Sequence, residues 1–244
     1  MKILGIIPAR FASTRFPGKP LVDIHGKSMI RRVYEQAKKS EKLDDVIVAT
    51  DDERILSHVL AFGGKGLLTS EKHESGTDRC AEVMQKIIGF DVAVNIQGDE
   101  PYIDPRQIDL LCSCFASDDI SIATLIKEIR STDELFNANS PKVLINVLNE
   151  AIYFSRTPVP YQRNQPEGDW LNHHKYFKHI GIYGYRKDTL VALTNLPVSS
   201  LEKAEALEQL RWIENGYKIK TALTSIETVA IDTPEDLLKL PADL

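Results

Sequence analysis

The chain has 244 residues, and its 43% hydrophobic and 27% charged content is that of an ordinary globular protein. Its formal net charge of −5 argues against nucleic-acid binding, which requires broad positive potential, but leaves room for a locally basic site that binds an anionic small molecule. No apolar run approaches the roughly 20 residues that span a bilayer. Gly5, Pro8 and Arg10 interrupt the first apolar stretch too early for a signal peptide, and the three cysteines lack the spacing of a disulfide framework or a zinc site. We therefore predict a cytoplasmic protein without a nucleic-acid or membrane partner.

The first part of the chain alternates short apolar runs with helical segments. Buried strands are predicted at 2–8, 45–50, near 66–68 and at 91–96, and helices at about 28–39, after Asp51–Asp52 as far as 62, and from 76 to about 88. This alternation predicts βαβ units and hence an α/β fold with a mainly parallel sheet and helices on both faces. Right-handed crossovers would bring the strand-to-helix loops to one edge of the sheet, where open α/β sheets bind ligands.

The pattern becomes richer in strands between about 130 and 185. Strands are predicted at 143–148 and 151–155, joined by a turn, and at 178–185 after a Pro- and Gly-containing loop. A helix at 202–215, a strand at 218–224 and a last helix at 234–240 follow. We predict a single domain over 1–244, with a β-rich subregion at about 130–185.

The loop after the first strand is the strongest chemical signal. It carries Arg10, Arg15 and Lys19 without an acidic residue, in a chain that is acidic overall. Guanidinium, ammonium and backbone N–H groups on such a loop can bind phosphates. It is not a Walker loop, because Leu21 replaces the leading glycine of the sequence that ends at Gly26-Lys27-Ser28. A solvated surface loop would contain the same cations, and only its position at the ligand-binding edge favours a site.

Two aspartates are candidate magnesium ligands. Asp99 follows the predicted strand 91–96, and Gly98 beside it would let the backbone approach a ligand. Mg²⁺ prefers oxygen ligands and binds through few carboxylates together with substrate phosphates. Asp232 is the natural second ligand, although an acidic turn at Asp99 and a helix N-cap at Asp232 explain the same residues equally well.

A third, weaker signal lies at the start of the predicted helix at 76–88. The small residues Ser75–Thr77 can donate and accept hydrogen bonds at the edge of a base, and Arg79 adds charge. A capping turn accounts for this segment equally well.

Taken together, these segments resemble the CMP-Kdo synthetases, in which Kdo is 3-deoxy-manno-octulosonate. The matching stretches run in the order of that family and cover nearly the whole chain: IIPARFASTRFPGKPL, VATDDERI, SGTDR, NIQGDEP, YFSR, HIGIYGYR, LEQLR and IDTPEDL. The resemblance implies an α/β nucleotidyltransferase fold whose β-rich arm makes a homodimer. It also implies an Mg²⁺-dependent reaction of CTP with Kdo, an acidic 3-deoxy sugar, that gives CMP-Kdo and pyrophosphate for lipopolysaccharide synthesis.

The resemblance also implies roles for individual residues. The implied CTP-binding residues are Arg10, Ser13, Arg15, Lys19, Thr50, Asp51, Ser75, Gly76, Thr77, Arg79 and Gln97. The implied catalytic residues are Arg10, Lys19, Asp99 and Asp232, of which the two aspartates bind Mg²⁺. The implied sugar-binding residues are Arg156, His179, Tyr183, Glu208 and Gln209. Strand periodicity supports one part of this set, because His179, Gly181 and Tyr183 alternate onto one face.

Three other interpretations stay open at this point. A CMP-sialate synthetase would perform the same chemistry on a different acid sugar, although the FPGKPL continuation of the first loop favours the Kdo group. An enzyme for an amino-sugar variant of Kdo would share these stretches. A nucleotide-binding regulatory module would not need Lys19, Asp99 and Asp232, all of which are present.

Overall fold

A computed structural model of the chain describes residues 1–12, 16–227 and 229–238. Its strands are β1 (Ile3–Ala9), β2 (Asp23–Ile24), β3 (Lys27–Ser28), β4 (Asp45–Thr50), β5 (Gly66–Leu68), β6 (Val92–Asn95), β7 (Ile122–Glu128), β8 (Lys142–Ile145), β9 (Ala151–Ser155), β10 (Phe177–Arg186) and β11 (Lys220–Leu223). Its helices are α1 (Met29–Ala37), α2 (Glu53–Ala61), α3 (Gly76–Lys86), α4 (Pro105–Ser113), α5 (Thr132–Phe136), α6 (Trp170–His173), α7 (Lys187–Thr194), α8 (Ser200–Glu205), α9 (Gln209–Glu214) and α10 (Pro234–Leu237).

The chain divides into two compact units. The first contains Met1–Cys112 and the described C-terminal residues 229–238, and the second contains Ser113–Glu227. The predicted β-rich subregion at about 130–185 lies inside the second unit. The single domain over 1–244 stays a prediction.

The first unit contains a parallel sheet in the order β6-β1-β4-β5. Its strands are the short apolar runs of the sequence, and their side chains are almost all buried, as expected for strands covered on both faces. Ala9 pairs with Thr50, and Thr50 pairs with Leu68, so neighbouring strands end level with one another. The loops that follow them therefore start at one edge, which confirms that part of the sequence prediction.

Capping residues set the helix starts of this unit. Ser28 accepts a hydrogen bond from the backbone N–H of Arg31 at the start of α1, and Asp52 accepts one from Arg54 at the start of α2. Both helices begin and end within two residues of the predicted bounds. Helix α4 and the short strands β2 and β3 were not predicted. The end of the last predicted helix, at 239–240, lies outside the described residues.

The second unit is built around β7, which was not among the predicted strands. This strand pairs antiparallel with β10 and parallel with β11. The predicted hairpin of β8 and β9 is confirmed, and β8 also pairs with β10. Within the described residues, no helix has both the length and the apolar character required to cross a membrane.

The predicted continuous helix at 202–215 is wrong. The segment forms α8 and α9, separated by Ala206, whose backbone is left-handed with φ 50°. A continuing helix would use the carbonyls of Glu205 and Ala206 to accept bonds from the next turn. Here the guanidinium of Arg156 takes both carbonyls instead, at 2.6 and 3.1 Å, so the helix ends where a distant side chain competes for its backbone.

Candidate functional site

The loop after β1 contains the predicted phosphate-binding cations. Arg10 is exposed, and its guanidinium donates to the carbonyl oxygens of His73 and Glu74 at 3.3 and 2.8 Å. Lys19 begins a short 3₁₀ turn at the other end of the loop. The predicted residues Ser13 and Arg15 lie outside the described residues. Arg10 and Lys19 both line a cavity of about 440 Å³, whose wall consists of Pro8, Ala9, Arg10, Ala12, Lys19, Pro20, Gly76, Gln97, Gly98 and Asp99.

Lys19, Asp99 and Asp232 meet although they come from three distant segments of the chain. The ammonium of Lys19 lies 2.8 Å from Oδ2 of Asp99 and 3.4 Å from Oδ1 of Asp232. The side chains of Lys19 and Asp99 are 15% and 25% exposed, so this ion pair is partly shielded from solvent, while Asp232 is 47% exposed. Two carboxylates that share one ammonium leave a net charge of −1 at the edge of the first sheet.

The turn that carries Asp99 can form only because residue 98 is glycine. A Cβ atom on Gly98 would lie 2.7 Å from the carbonyl oxygen of Pro8, which is closer than carbon and oxygen approach in proteins. The turn therefore lies against the end of β1. The backbone of Asp99 also accepts a hydrogen bond from the N–H of Ile231 at 2.9 Å, and this bond brings the neighbouring Asp232 to the same place.

Asp232 does not cap the helix that follows it. The carboxylate of Asp236 accepts hydrogen bonds from the backbone N–H groups of Asp232 and Thr233, at 3.1 and 3.0 Å. Thr233 is the N-cap residue of α10. Because Asp236 satisfies the backbone donors before α10, the Asp232 carboxylate can face Lys19, and the N-cap interpretation of Asp232 is excluded.

Three residues that the resemblance implies for CTP binding, Thr50, Asp51 and Arg79, belong to a network near the start of α3. Arg79 is fully buried, and its guanidinium donates to Thr69 and, at 3.0 Å, to the carboxylate of Asp51. Thr50 is also fully buried at the end of β4, where Thr69 donates to its carbonyl oxygen at 3.1 Å. In this conformation Arg79 has no surface for a ligand and instead orients Asp51. Its direct contact with the nucleotide stays a prediction.

The segment Ser75–Thr77 forms the capping turn that the sequence allowed. Ser75 accepts from the N–H of Asp78, and the Asp78 carboxylate accepts from the N–H of Ser75, each at 3.1 Å. Gly76 packs against Asn95, since a Cβ at Gly76 would lie 3.3 Å from the amide nitrogen of that side chain. Asn95 was missed by the sequence reasoning, although a polar residue in the otherwise apolar run DVAVNI was a usable signal. Its buried Oδ1 has no hydrogen-bond partner in the described structure.

Four of the predicted sugar-binding residues belong to one cluster in the second unit. The rings of His179 and Tyr183 are 5.1 Å apart, and Tyr183 packs edge-on against Trp212 of α9, also at 5.1 Å. Gln209 begins α9, is 5% exposed and has a buried amide nitrogen without a hydrogen-bond partner. Glu208 precedes it and is near enough to influence the hydroxyl of Tyr183. These groups form an aromatic-lined wall with amide and hydroxyl groups.

Strand β10 contains a bulge, which corrects the prediction that Gly181 lies between His179 and Tyr183 in a regular alternation. His179 pairs with Ile126 of β7, but the register shifts after Ile180, and Tyr183 then pairs with Thr124. Gly181 therefore lies in a bulge instead of leaving a gap in a regular ladder. The bulge inserts two residues relative to β7, so the side chains before and after it stay on the same faces. The rings of His179 and Tyr183 therefore still contact each other.

Burial controls the protonation of this cluster. Burial lowers the pKa of His179 to about 3, so the imidazole is neutral near pH 7. The hydroxyl of Thr124 donates to the carbonyl of Ile182 at 2.8 Å, and it therefore accepts from Nε2 of His179 at 3.0 Å. This network assigns the proton to Nε2 and leaves Nδ1 as an acceptor. Burial, and after it the charge of Glu208, raises the pKa of Tyr183 well above its usual value, so its hydroxyl stays protonated.

The fifth predicted sugar residue, Arg156, is held by backbone carbonyls. Its Nε donates to the carbonyl of Glu205, its Nη2 to Ala206 and its Nη1 to Ala138, at distances of 2.6 to 3.1 Å. A guanidinium has five N–H groups, so these bonds leave two for another acceptor. The side chain is thus fixed in direction before any ligand binds.

A metal site made by protein groups alone is absent from the described residues, because no group of three or more His, Cys, Asp or Glu side chains is placed to hold an ion. The pair of Asp99 and Asp232 nevertheless binds a cation, the Lys19 ammonium. A pair of carboxylates fits Mg²⁺, which retains waters and binds substrate phosphates in addition to few protein ligands.

Comparisons with known proteins agree with this architecture. The Cytidylyltransferase family model matches residues 4–219. A 3-deoxy-manno-octulosonate cytidylyltransferase of Parabacteroides distasonis is 59% identical over 100% of this chain and 98% of its own length, and one of Cytophaga hutchinsonii is 55% identical over 98% and 96%. The solved structure of a CMP:2-keto-3-deoxy-manno-octonic acid synthetase complexed with CTP is 45% identical, with a TM-score of 0.91 over 98% of this chain and 96% of that one. That likeness confirms the predicted α/β fold class. The chain therefore belongs to the 3-deoxy-manno-octulosonate cytidylyltransferase family.

Proposed function

We propose that this protein transfers CMP from CTP to Kdo, releases pyrophosphate, and uses Mg²⁺ as its cofactor. The observation that carries the proposal is the convergence of Lys19, Asp99 and Asp232 beside the cavity of the first loop. An ammonium and two carboxylates in one partly shielded pocket suit a magnesium triphosphate, which offers anionic oxygens to the first and a divalent cation to the others. The full-length relatives with the same named activity support the choice of CTP and Kdo.

The central problem of the proposed reaction is electrostatic. Both reactants are anions, so their negative charges must be offset before the anomeric hydroxyl of the sugar can attack the α-phosphorus of CTP. Bound Mg²⁺, held by Asp99 and Asp232, would neutralise part of the triphosphate charge. Arg10 and Lys19 then bind phosphate oxygens, and Lys19 exchanges its carboxylate partners for the triphosphate when the nucleotide enters.

The second unit would supply the contacts with the sugar. The acceptor Nδ1 of His179 suits a sugar hydroxyl, and the unpartnered amide nitrogen of Gln209 suits a sugar oxygen. The two remaining N–H groups of Arg156 suit the sugar carboxylate. With a pKa of about 3, His179 is a poor general base near pH 7, so we propose a binding role for it.

We further propose that the protein acts as a homodimer in the cytoplasm. The hairpin of β8 and β9 exposes apolar residues, with Val147, Leu148 and Ile152 at 98%, 59% and 53% exposure, and a partner subunit would cover them. The cytoplasm is proposed because the three cysteines of the sequence lack the spacing of a disulfide framework. Sedimentation equilibrium of the purified protein tests the dimer, and a monomer at micromolar concentration would contradict it.

Pyrophosphate release tests the function. The full chain is assayed with CTP, ATP, GTP or UTP, each combined with Kdo, an amino-sugar variant of Kdo or sialate, with and without Mg²⁺. We expect turnover with CTP, Kdo and Mg²⁺ together. Greater turnover with sialate or the amino sugar would replace the proposed substrate, and CTP binding without turnover of any sugar would indicate a regulatory module.

A further inference from the structure

The carboxylate of Glu205 joins the end of α8 to the end of β9. It accepts hydrogen bonds from the hydroxyl of Ser155 at 2.8 Å and from the backbone N–H of Arg156 at 2.9 Å, and the hydroxyl of Tyr153 lies 3.4 Å away. Glu205 was not among the residues predicted from the sequence. A partly buried carboxylate that accepts this many bonds fixes the position of Arg156 through its backbone.

The side chain of Arg156 in turn binds the backbone at the end of α8. Two of its donors hold the carbonyls of Glu205 and Ala206, so the same two segments are joined twice, once in each direction. From the neighbouring strand β8, the fully buried ammonium of Lys142 donates to the carbonyl of Arg156 at 2.8 Å. The backbone and the guanidinium of Arg156 are thus both held before a ligand is bound.

The contact also holds a strained turn. Ala206 has φ 50°, a left-handed conformation in which an alanine is disfavoured relative to glycine because its Cβ approaches the backbone. The turn redirects the chain so that α9 starts at Gln209, whose amide nitrogen is buried without a partner. A continuous helix would turn Gln209 to a different direction, since each helical residue rotates by about 100°.

We propose that Glu205 is a positioning residue for the sugar subsite, and that it acts through Arg156 and the left-handed turn at Ala206 without touching the substrate. The inference rests on the proposed function, because it concerns Arg156 and Gln209 as sugar ligands. The strained turn then has a structural role. Glu205 stabilises the left-handed conformation of Ala206, and this conformation sets the direction in which α9 begins.

The test compares Glu205→Gln, Ala206→Gly and the double variant by steady-state kinetics with CTP and Kdo. We expect Glu205→Gln to raise the KM for Kdo about 10-fold and to leave the KM for CTP within about 2-fold. A glycine at 206 adopts the left-handed turn without support, so the double variant should recover most of the loss in KM for Kdo. No recovery, or an equal rise in both KM values, would overturn the inference.

Glu214→Gln is the matched control. Its carboxylate also joins α9 to α8, through the hydroxyl of Ser200 and the N–H of Leu201 at 3.0 Å each, but it touches neither Arg156 nor the turn at Ala206. We expect an unchanged KM for Kdo. A rise equal to that of Glu205→Gln would show a merely structural effect and overturn the inference.

Thermal unfolding of the same variants gives a readout that does not require turnover. We expect the fall in Tm caused by Glu205→Gln to be smaller in the Ala206→Gly background, because the turn then needs less support. Equal falls in both backgrounds would refute the link between Glu205 and the turn. Failure of the proposed function would appear differently, as absence of turnover by the unaltered protein with every sugar.

Discussion

The candidate nucleotide site in the first unit and the candidate sugar site in the second unit are built on opposite principles. In the first, the charge of Lys19 offsets only part of the charge of Asp99 and Asp232, beside a cavity that Lys19 and Asp99 line. In the second, the rings of His179 and Tyr183 are packed together, and burial keeps the imidazole and the phenol uncharged. One site is preorganised by ion pairs that a ligand must rearrange, and the other by packing that a ligand can use as it stands.

This difference follows from the ligand that each site is proposed to bind. A magnesium triphosphate brings several charges of both signs, and ion pairs can be exchanged for it without leaving a charge unpaired. A sugar brings hydroxyl groups, which suit fixed neutral donors and acceptors, and a single carboxylate, which suits the guanidinium of Arg156. Substitutions in the first unit should therefore change how its ion pairs rearrange when a ligand binds. Substitutions in the second unit should change the packing of its rings and the protonation of His179.

The largest effect is expected from the aspartates that share Lys19. Asp99→Asn or Asp232→Asn removes a carboxylate charge from the proposed metal site, and we expect kcat/KM to fall by about 10²–10³-fold, as for other groups that stabilise charge in a transition state. The far-UV circular dichroism should stay unchanged. Asp104→Asn is the control, because Asp104 pairs with exposed Arg106 outside this cavity. Near-normal pyrophosphate release by either site variant would remove that aspartate from the metal site.

The second-largest effect is expected from the fully buried cation Arg79 in the first unit. Arg79→Met leaves Asp51 and Thr69 without their donor, and we expect the free energy of unfolding to fall by about 2–4 kcal/mol. The KM for CTP should also rise, since Asp51 loses its orientation. Urea unfolding and CTP titration measure the two effects. The exposed Arg106→Met variant should change neither, and an unfolding free energy of Arg79→Met equal to that of the unaltered protein would contradict the structural role.

The two sites also differ in how far the sequence predicts them. Strand ends in a parallel sheet share one edge, so apolar runs followed by Lys19 or by Asp99 predicted a meeting of distant residues that the structure contains. The bounds of the strands in the first unit could also be predicted, because each buried apolar run is short and ends in a polar turn. Asp236, which frees Asp232 from capping, could not be identified, since either residue has the chemistry of a cap.

The second unit depended on contacts between residues far apart in sequence. Nothing local in the segment 202–215 predicts a helix end at Ala206, where the guanidinium of Arg156 binds the carbonyls of Glu205 and Ala206. Strand periodicity likewise could not show the bulge in β10, because it arises from pairing with β7. The missed strand β7 supplies Thr124, and with it the tautomer of His179.

Lys19 allows a test of charge exchange that needs no turnover. Its ammonium and a divalent cation would compete for the same two carboxylates, so Lys19→Gln should bind Mn²⁺ about 10–100-fold more tightly than the unaltered protein when no nucleotide is present. Calorimetry or electron paramagnetic resonance measures the Kd. Lys27→Gln is a suitable control because Lys27 pairs with Glu35. An unchanged or weaker affinity in Lys19→Gln would show that the ammonium does not occupy the position of the metal.

The smallest effect tests the neutral imidazole of His179 in the second unit. In the unfolded chain the pKa of a histidine is about 6.5, whereas burial lowers that of His179 to about 3. Between these values the unfolded chain binds more protons than the folded one, so the contribution of His179 to stability is complete above about pH 6.5 and is lost as the pH falls. From pH 7 to pH 5, His179 should account for about 1–2 kcal/mol of the decrease in the free energy of unfolding.

His179→Gln cannot titrate, so its stability should fall less steeply with decreasing pH than that of the unaltered protein. Urea unfolding at pH 5, 6 and 7 measures the slopes, and the difference between the two proteins cancels the contribution of other titrating groups. His173→Gln, which alters an exposed residue, should keep the steeper slope. Equal slopes for His179→Gln and the unaltered protein would mean that His179 can be protonated in the folded state, and the neutral packing that distinguishes the second site from the first would not hold.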